Sequence, residues 1–235
     1  MRLNERDKRN FIITGCIFAA FLLFTILVKT VHVAAIGPQG SEVGFAGING
    51  FFMNHLPYRK FFYKLAEVLG LLVLLVVAAF GVVGVLQLLK GKSLWAVDTR
   101  ILLLGVFYVI VFILYILFDK IAVNYRPVII DAAEGLEPSY PSSHTMLACC
   151  VMSTAWLLLP YYLPAFVPNE KYLKYARIAC LVIMALVVLT RFLSGVHWFT
   201  DIIGGILLSA ALVMLYYSFY IMSEGAAGQR GKHEK

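Results

Sequence analysis

Uncharged apolar runs of roughly bilayer-spanning length recur along this chain, and no other feature restricts its fold as much. Phe11–Val28, Val68–Leu89, Ile101–Phe118 and Ile202–Met222 contain no charged side chain. Two shorter runs complete a set of six: Thr145–Leu159, ended by Pro160, and Ile178–Thr190, bounded by Arg177 and Arg191. A spanning helix needs about 20 apolar residues. The composition agrees, being 61% hydrophobic and 14% charged, against about half and a quarter in soluble domains. The expected fold is all-α, a polytopic membrane protein built as a six-transmembrane-helix bundle. Its spans are expected near 11–31, 65–89, 101–118, 145–160, 174–193 and 198–222, in a single membrane domain. Residues 37–64, rich in Phe with Arg59 and Lys60 alongside, read as a segment lying on the outer membrane surface.

The basic excess fixes an expected orientation. With six spans both termini share a side. Only Lys29, Arg59, Lys60, Lys64, Lys120, Arg126 and Arg191 fall on the opposite face, out of 20 Lys and Arg. Orientation follows the Lys/Arg bias of short loops, so both termini are expected in the cytoplasm. The net charge of +7 thus reads as a topology signal and not as a nucleic-acid footprint. Cys16, Cys149, Cys150 and Cys180 sit in apolar runs without metal-ligand spacing and read as small core residues. His32 and His55 have no partners in sequence and receive no role.

Three clusters fall together on the expected outer face: "KIAVNYRP" at Lys120–Pro127, "YPSSHT" at Tyr140–Thr145 and "TRFLSGVHWFTD" at Thr190–Asp201. Charged and imidazole groups at membrane depth are costly unless paired or functional. The forks of Arg126 and Arg191 suit phosphate oxygens. Ser142 and Ser143 precede a span whose first backbone N–H groups are unsatisfied and whose dipole favours an anion. His197 and Asp201, four apart, share a face of the last span, so the carboxylate can fix one ring nitrogen and leave the other to attack. His144 is then available to protonate the departing group. No residues remain to hold a metal, and no cofactor is expected. Individually each feature has a plainer reading: Ser142 and Ser143 as a helix cap, Arg191 as a snorkelling anchor, a histidine as an interfacial hydrogen-bonding group. What those readings leave unexplained is their gathering on one face from separate loops.

These clusters resemble the three-part signature of the type 2 phosphatidic acid phosphatase superfamily, K-x6-R-P, P-S-G-H and S-R-x5-H-x3-D. The last is matched by Arg191, His197 and Asp201, with Thr190 in place of serine. The middle one is matched by Pro141, Ser142 and His144, with Ser143 in place of glycine. The first is matched by Arg126-Pro127, with five residues between Lys120 and Arg126. The resemblance implies a phosphohistidine mechanism on His197, with Asp201 its orienter and His144 the general acid. It implies phosphate binding by Lys120, Arg126, Ser142 and Arg191.

The sequence therefore leads to the expectation of a metal-independent membrane phosphatase, acting on lipid phosphates or pyrophosphates at the outer leaflet. Undecaprenyl pyrophosphate comes first among substrates, followed by phosphatidic acid and phosphatidylglycerol phosphate. Partners are the lipid substrate and surrounding lipids, and oligomeric state is left open. Two other readings stand beside it. One is a transporter using His144, His197 and Asp201 as a proton relay, although transporter sites tend to lie at the bilayer midplane in broken helices. The other is a non-catalytic lipid-phosphate-binding protein.

Overall fold

The structure, a computed structural model, describes residues 4–233. The described residues form α1 (Glu5–Thr30), α2 (Ala46–His55), α3 (Lys60–Gly91), α4 (Thr99–Lys120), α5 (Ser143–Tyr162), α6 (Glu170–Leu193) and α7 (Phe199–His233), with no β-strand among them. All but α2 are long and apolar enough to cross a membrane. Apolar runs set the middle of each helix and polar caps set its ends. Asn4, Asp98 and Asn169 sit at the N-caps of α1, α4 and α6, where their side chains accept backbone N–H groups of the first turn. Such caps contribute about 1 kcal/mol each. They explain why the helices begin ahead of the uncharged segments, as α4 does before Ile101.

The two central helices are α5 and α7, whose apolar windows are 44% and 50% buried, whereas those of α1 and α3 are 11% buried. Met146, Val151 and Leu158 of α5 share one buried core with Leu208 and Leu212 of α7, to which α4 and α6 add Leu104, Phe107 and Val187. Between helices in lipid the gain comes from close packing by small residues more than from escape from water. Gly205 shows this at the start of α7, because a Cβ there would stand 2.9 Å from the Ser142 carbonyl oxygen. That approach brings the first turns of α5 and α7 together, and the Ser142 N–H donates to the Asp201 carbonyl at 3.0 Å.

The segment between α1 and α3 packs beneath the start of α7. Asn49 of α2, fully buried, donates to Thr200 Oγ1 at 3.0 Å and accepts the Thr200 N–H at 3.2 Å. It caps α7 from a distant part of the chain. Phe52 stacks on Phe199 at 4.7 Å, while Ile48 and Phe51 remain exposed on the other side of α2. The four cysteines are unpaired. Cys150 and Cys180 are buried in the core, whereas Cys16, expected there too, is exposed on α1.

Candidate active site

The starts of α3, α5 and α7 and the ends of α4 and α6 lie at one end of the bundle, which brings the three clusters together. Between α6 and α7 the chain reverses through Ser194–Trp198. Gly195 makes this turn at φ +69°, and a Cβ there would also meet the backbone of Pro57 and Tyr58 at 2.7 Å, so only glycine fits. The Arg59 N–H donates to the Ser194 carbonyl at 3.0 Å. The loop carrying His197 is thus pinned from outside by residues 57–59.

His197 is buried, and its neighbours dictate one tautomer. Nδ1 lies 3.1 Å from the carbonyl oxygen of Ser139, which can only accept. Nε2 lies 3.4 Å from Arg191 Nη2, which can only donate. Both contacts require the proton on Nδ1 and a free lone pair on Nε2. Burial, then the positive charges of Arg191 and Arg126, hold the His197 pKa well below the usual histidine value. The ring is therefore neutral at physiological pH, the form in which a nitrogen nucleophile works.

Asp201 is placed differently from the expected hydrogen-bonded orienter. Its Oδ2 is 3.6 Å from His197 Nδ1, beyond hydrogen-bond range. Oδ1 instead accepts from Asn124 Nδ2 at 3.1 Å, and Oδ2 accepts the Trp198 N–H at 3.0 Å. As third residue of α7 bonding back to the residue before the helix, Asp201 makes the acidic half of a capping box. The group that directly holds the His197 ring is the Ser139 carbonyl.

Ser142 occupies the N-cap position of α5, but its side chain caps no N–H. Its Oγ accepts the Thr145 hydroxyl at 3.0 Å. The first N–H groups of α5 are left to attract an anion, as at any uncapped helix start. Ser143, Arg126, Ser139, Tyr140 and His197 line a cleft of about 60 Å³ in front of that turn. Arg126 is pinned by its N–H to the Glu137 carbonyl at 2.9 Å, and its Nε lies 2.8 Å from Glu137 Oε2.

Ser142, an expected phosphate ligand, is fully buried and does not line the cleft, and the fold does not bring in Lys120. It ends α4 with its amine 3.3 Å from Asp119 and its side chain 76% exposed. Counting six intervening residues back from Arg126 reaches Asp119, and Asp119 lines the cleft. One residue on a helix rotates a side chain by about 100°, which turns Lys120 away. Among residues absent from the expected set, Glu67 stands out. Its Oε1 lies 3.1 Å from Arg191 Nη1 and 3.3 Å from His144 Nε2. Arg191 is 1% exposed, and a buried guanidinium without an anion costs about 3–5 kcal/mol, so this partner matters for stability. A lone carboxylate at the edge of a span is itself a signal of function.

The fold and this end of it define a multi-span membrane protein with an anion-sized cleft lined by Arg126 and His197, and with Arg191 3.4 Å from that histidine. The chain belongs to the PAP2 superfamily, whose family model matches residues 5–224. Over 81 residues it is 38% identical to phosphatidylglycerophosphatase B of Bacillus subtilis (strain 168), a match covering 34% of this chain and 38% of that relative. The crystal structure of a transmembrane PAP2 type phosphatidylglycerolphosphate phosphatase from Bacillus subtilis matches with a TM-score of 0.57 and 20% identity, over 89% of this chain and 96% of that one. At that identity the likeness shows a shared fold.

Proposed function

We propose that the protein is a lipid phosphatase working through a phosphohistidine at His197. The observation that carries this reading is the enforced tautomer, a buried neutral imidazole whose Nε2 lone pair faces the Arg191 guanidinium. A phosphoryl group drawn to Arg191, Arg126 and the α5 N-terminus lies within reach of that lone pair. Nε2 attacks phosphorus, the bond from phosphorus to the lipid oxygen breaks, and the leaving oxygen takes a proton from His144. Burial and then Arg191, His197 and Arg126 push the His144 pKa down to about 3 in the resting site, so that it gains this proton only when the phosphate dianion binds beside it. Water, deprotonated by His144, then attacks phosphorus. The P–N bond breaks with its electron pair returning to Nε2, and inorganic phosphate leaves. Ser139 keeps the nucleophile aligned throughout, while Asp201, held by Asn124 and the Trp198 N–H, steadies the positive charge that develops on the ring.

Phosphatidylglycerol phosphate is the first substrate to test, because the relatives named above carry that activity in their names; undecaprenyl pyrophosphate comes second. Arg191 and Arg126 both stand close enough to His197 to act on its charge and would repel a divalent cation, which favours a metal-free reaction. The Lys/Arg distribution favours cytoplasmic termini and an outward site. Purified protein should release phosphate from phosphatidylglycerol phosphate in a panel of lipid phosphates containing excess EDTA. No release from any member overturns the enzyme reading, and release only after a divalent metal is added overturns the mechanism. A cysteine at position 134 (Glu134→Cys) should react with a membrane-impermeant thiol reagent on intact cells. Reaction only after lysis reverses the orientation.

The arginines and the lysine should separate in the same assay. Lys120→Ala should stay within about threefold of wild type, as expected of an exposed ion pair. Arg126→Ala or Arg191→Ala should lose about 10²-fold or more, the scale of one transition-state charge contact. Equal losses at all three positions would show that Lys120 swings into the cleft with substrate.

A further inference from the structure

We infer that Glu67 is a built-in competitor for the phosphoryl site, a carboxylate that fills the anion position of the resting enzyme and yields it to the substrate. The inference rests on the phosphatase reading above. In that reaction the oxygen atoms of the substrate must touch Arg191 and His144 while phosphorus lies in reach of His197 Nε2. A carboxylate oxygen already stands there. Glu67 Oε1 bridges Arg191 Nη1 at 3.1 Å and His144 Nε2 at 3.3 Å, and the other terminal nitrogen of the same guanidinium is 3.4 Å from His197 Nε2. A phosphoryl oxygen and Oε1 cannot share this position, and two anions there would repel.

Glu67 is suited to leave. Its side chain is 40% exposed, whereas the arginine it covers is 1% exposed, so the fixed partner is the cation and the movable one is the acid. One turn further along α3, Gly70 lies against His144, where a Cβ would come within 3.2 Å of the ring. That close packing sets the distance from α3 to the site and keeps Glu67 within reach. Lys64, three residues back on the same helix face, can receive the displaced carboxylate. Arg191 also keeps its buried Nε without a hydrogen-bond partner among the described residues. Glu67 neutralises the guanidinium but does not saturate it, and a phosphoryl group with more oxygens can.

A tethered carboxylate competes at an effective concentration of millimolar order or above. It therefore weakens every anion that lacks other contacts, free phosphate among them, and a lipid substrate recovers the loss through its tail. The enzyme releases its own product more readily and resists ambient phosphate. Removing the competing charge should tighten phosphate, which is the opposite of what loss of a structural partner would do.

The test measures inorganic phosphate on the full chain in two ways, as product inhibition and as the phosphate dependence of the thermal unfolding midpoint, so that an inactive variant is still read. For Glu67→Gln the apparent phosphate constant should fall about tenfold relative to wild type. The shorter carboxylate of Glu67→Asp, drawn back from the clamp, should give a value in between. An unchanged or weaker phosphate constant in both variants overturns the inference. If phosphate inhibits wild type and binds it normally while Glu67→Gln is unchanged, only the competitor role falls. If phosphate neither inhibits nor stabilises any of the three proteins, the phosphatase reading of the site falls and the competitor role with it.

Discussion

Replacing His197 with alanine should remove turnover on every substrate, by about 10⁶-fold, the scale seen when a hydrolase loses its nucleophile. The whole site is built around one lone pair. The Ser139 carbonyl and the Arg191 guanidinium, on opposite edges of the ring, leave Nε2 as the acceptor, whereas the other imidazole of the site, His144, has its Nε2 3.3 Å from Glu67 Oε1. Asp201→Asn should behave differently from the same change in a hydrolytic triad, where loss of the hydrogen-bonded acid costs about 10⁴-fold through the wrong tautomer. Here the tautomer is held by Ser139, so the loss should be about 10²-fold. The amide would also serve the two donors Asn124 Nδ2 and the Trp198 N–H with a single oxygen. One buried donor is then unsatisfied, at about 1–3 kcal/mol of stability. Single-turnover rates and unfolding midpoints of the two variants are the measurements. If His197→Ala keeps more than a few per cent of wild-type activity, the nucleophile lies elsewhere. If Asp201→Asn is as dead as His197→Ala while folded, the aspartate closes on the ring once substrate binds.

The membrane-crossing architecture was legible because uncharged runs of this length have few alternatives. Helix ends were less so, since they depend on single caps such as Asn4 and Asp98, and charged residues extend the helices beyond the greasy core. The residues of the site could be listed from their chemistry, but their geometry could not. The acceptor that fixes His197 is a backbone carbonyl, Ser139, and carbonyls leave no trace in a residue pattern. Asn124 lies inside the first cluster as an ordinary polar residue until the fold carries it to Asp201. Lys120 is a cation near Arg126 in sequence, yet the register of α4 turns Asp119 to the cleft instead. Glu67 was hidden for another reason: it opens a long apolar run on α3, far in sequence from all three clusters, and only helix packing brings it to Arg191 and His144.

The second large effect is expected at His144 and should depend on what leaves. A monoester such as phosphatidylglycerol phosphate expels an alkoxide, whose parent hydroxyl is nearly as weak an acid as water. A polyprenyl pyrophosphate expels a phosphate monoester whose second pKa is about 6, and it departs with little help. Donation by a general acid contributes about 10²–10⁴-fold and counts most for the poorer leaving group. His144→Ala should therefore slow monoester hydrolysis by 10²-fold or more while leaving pyrophosphate hydrolysis within about tenfold of wild type. His144 sits on α5 and His197 on the loop before α7, so the substitution leaves the nucleophile and its Ser139 and Arg191 contacts untouched. The Glu67–Arg191 pair at 3.1 Å also survives it. Both arginines keep their charge, and what is lost is the proton. The measurement is kcat/KM for one substrate of each kind at neutral pH, with His197→Ala as the control that lowers both alike. Should His144→Ala lower the two rates by one common factor, His144 binds or orients the phosphoryl group, and the proton for the leaving oxygen comes from water at the mouth of the cleft.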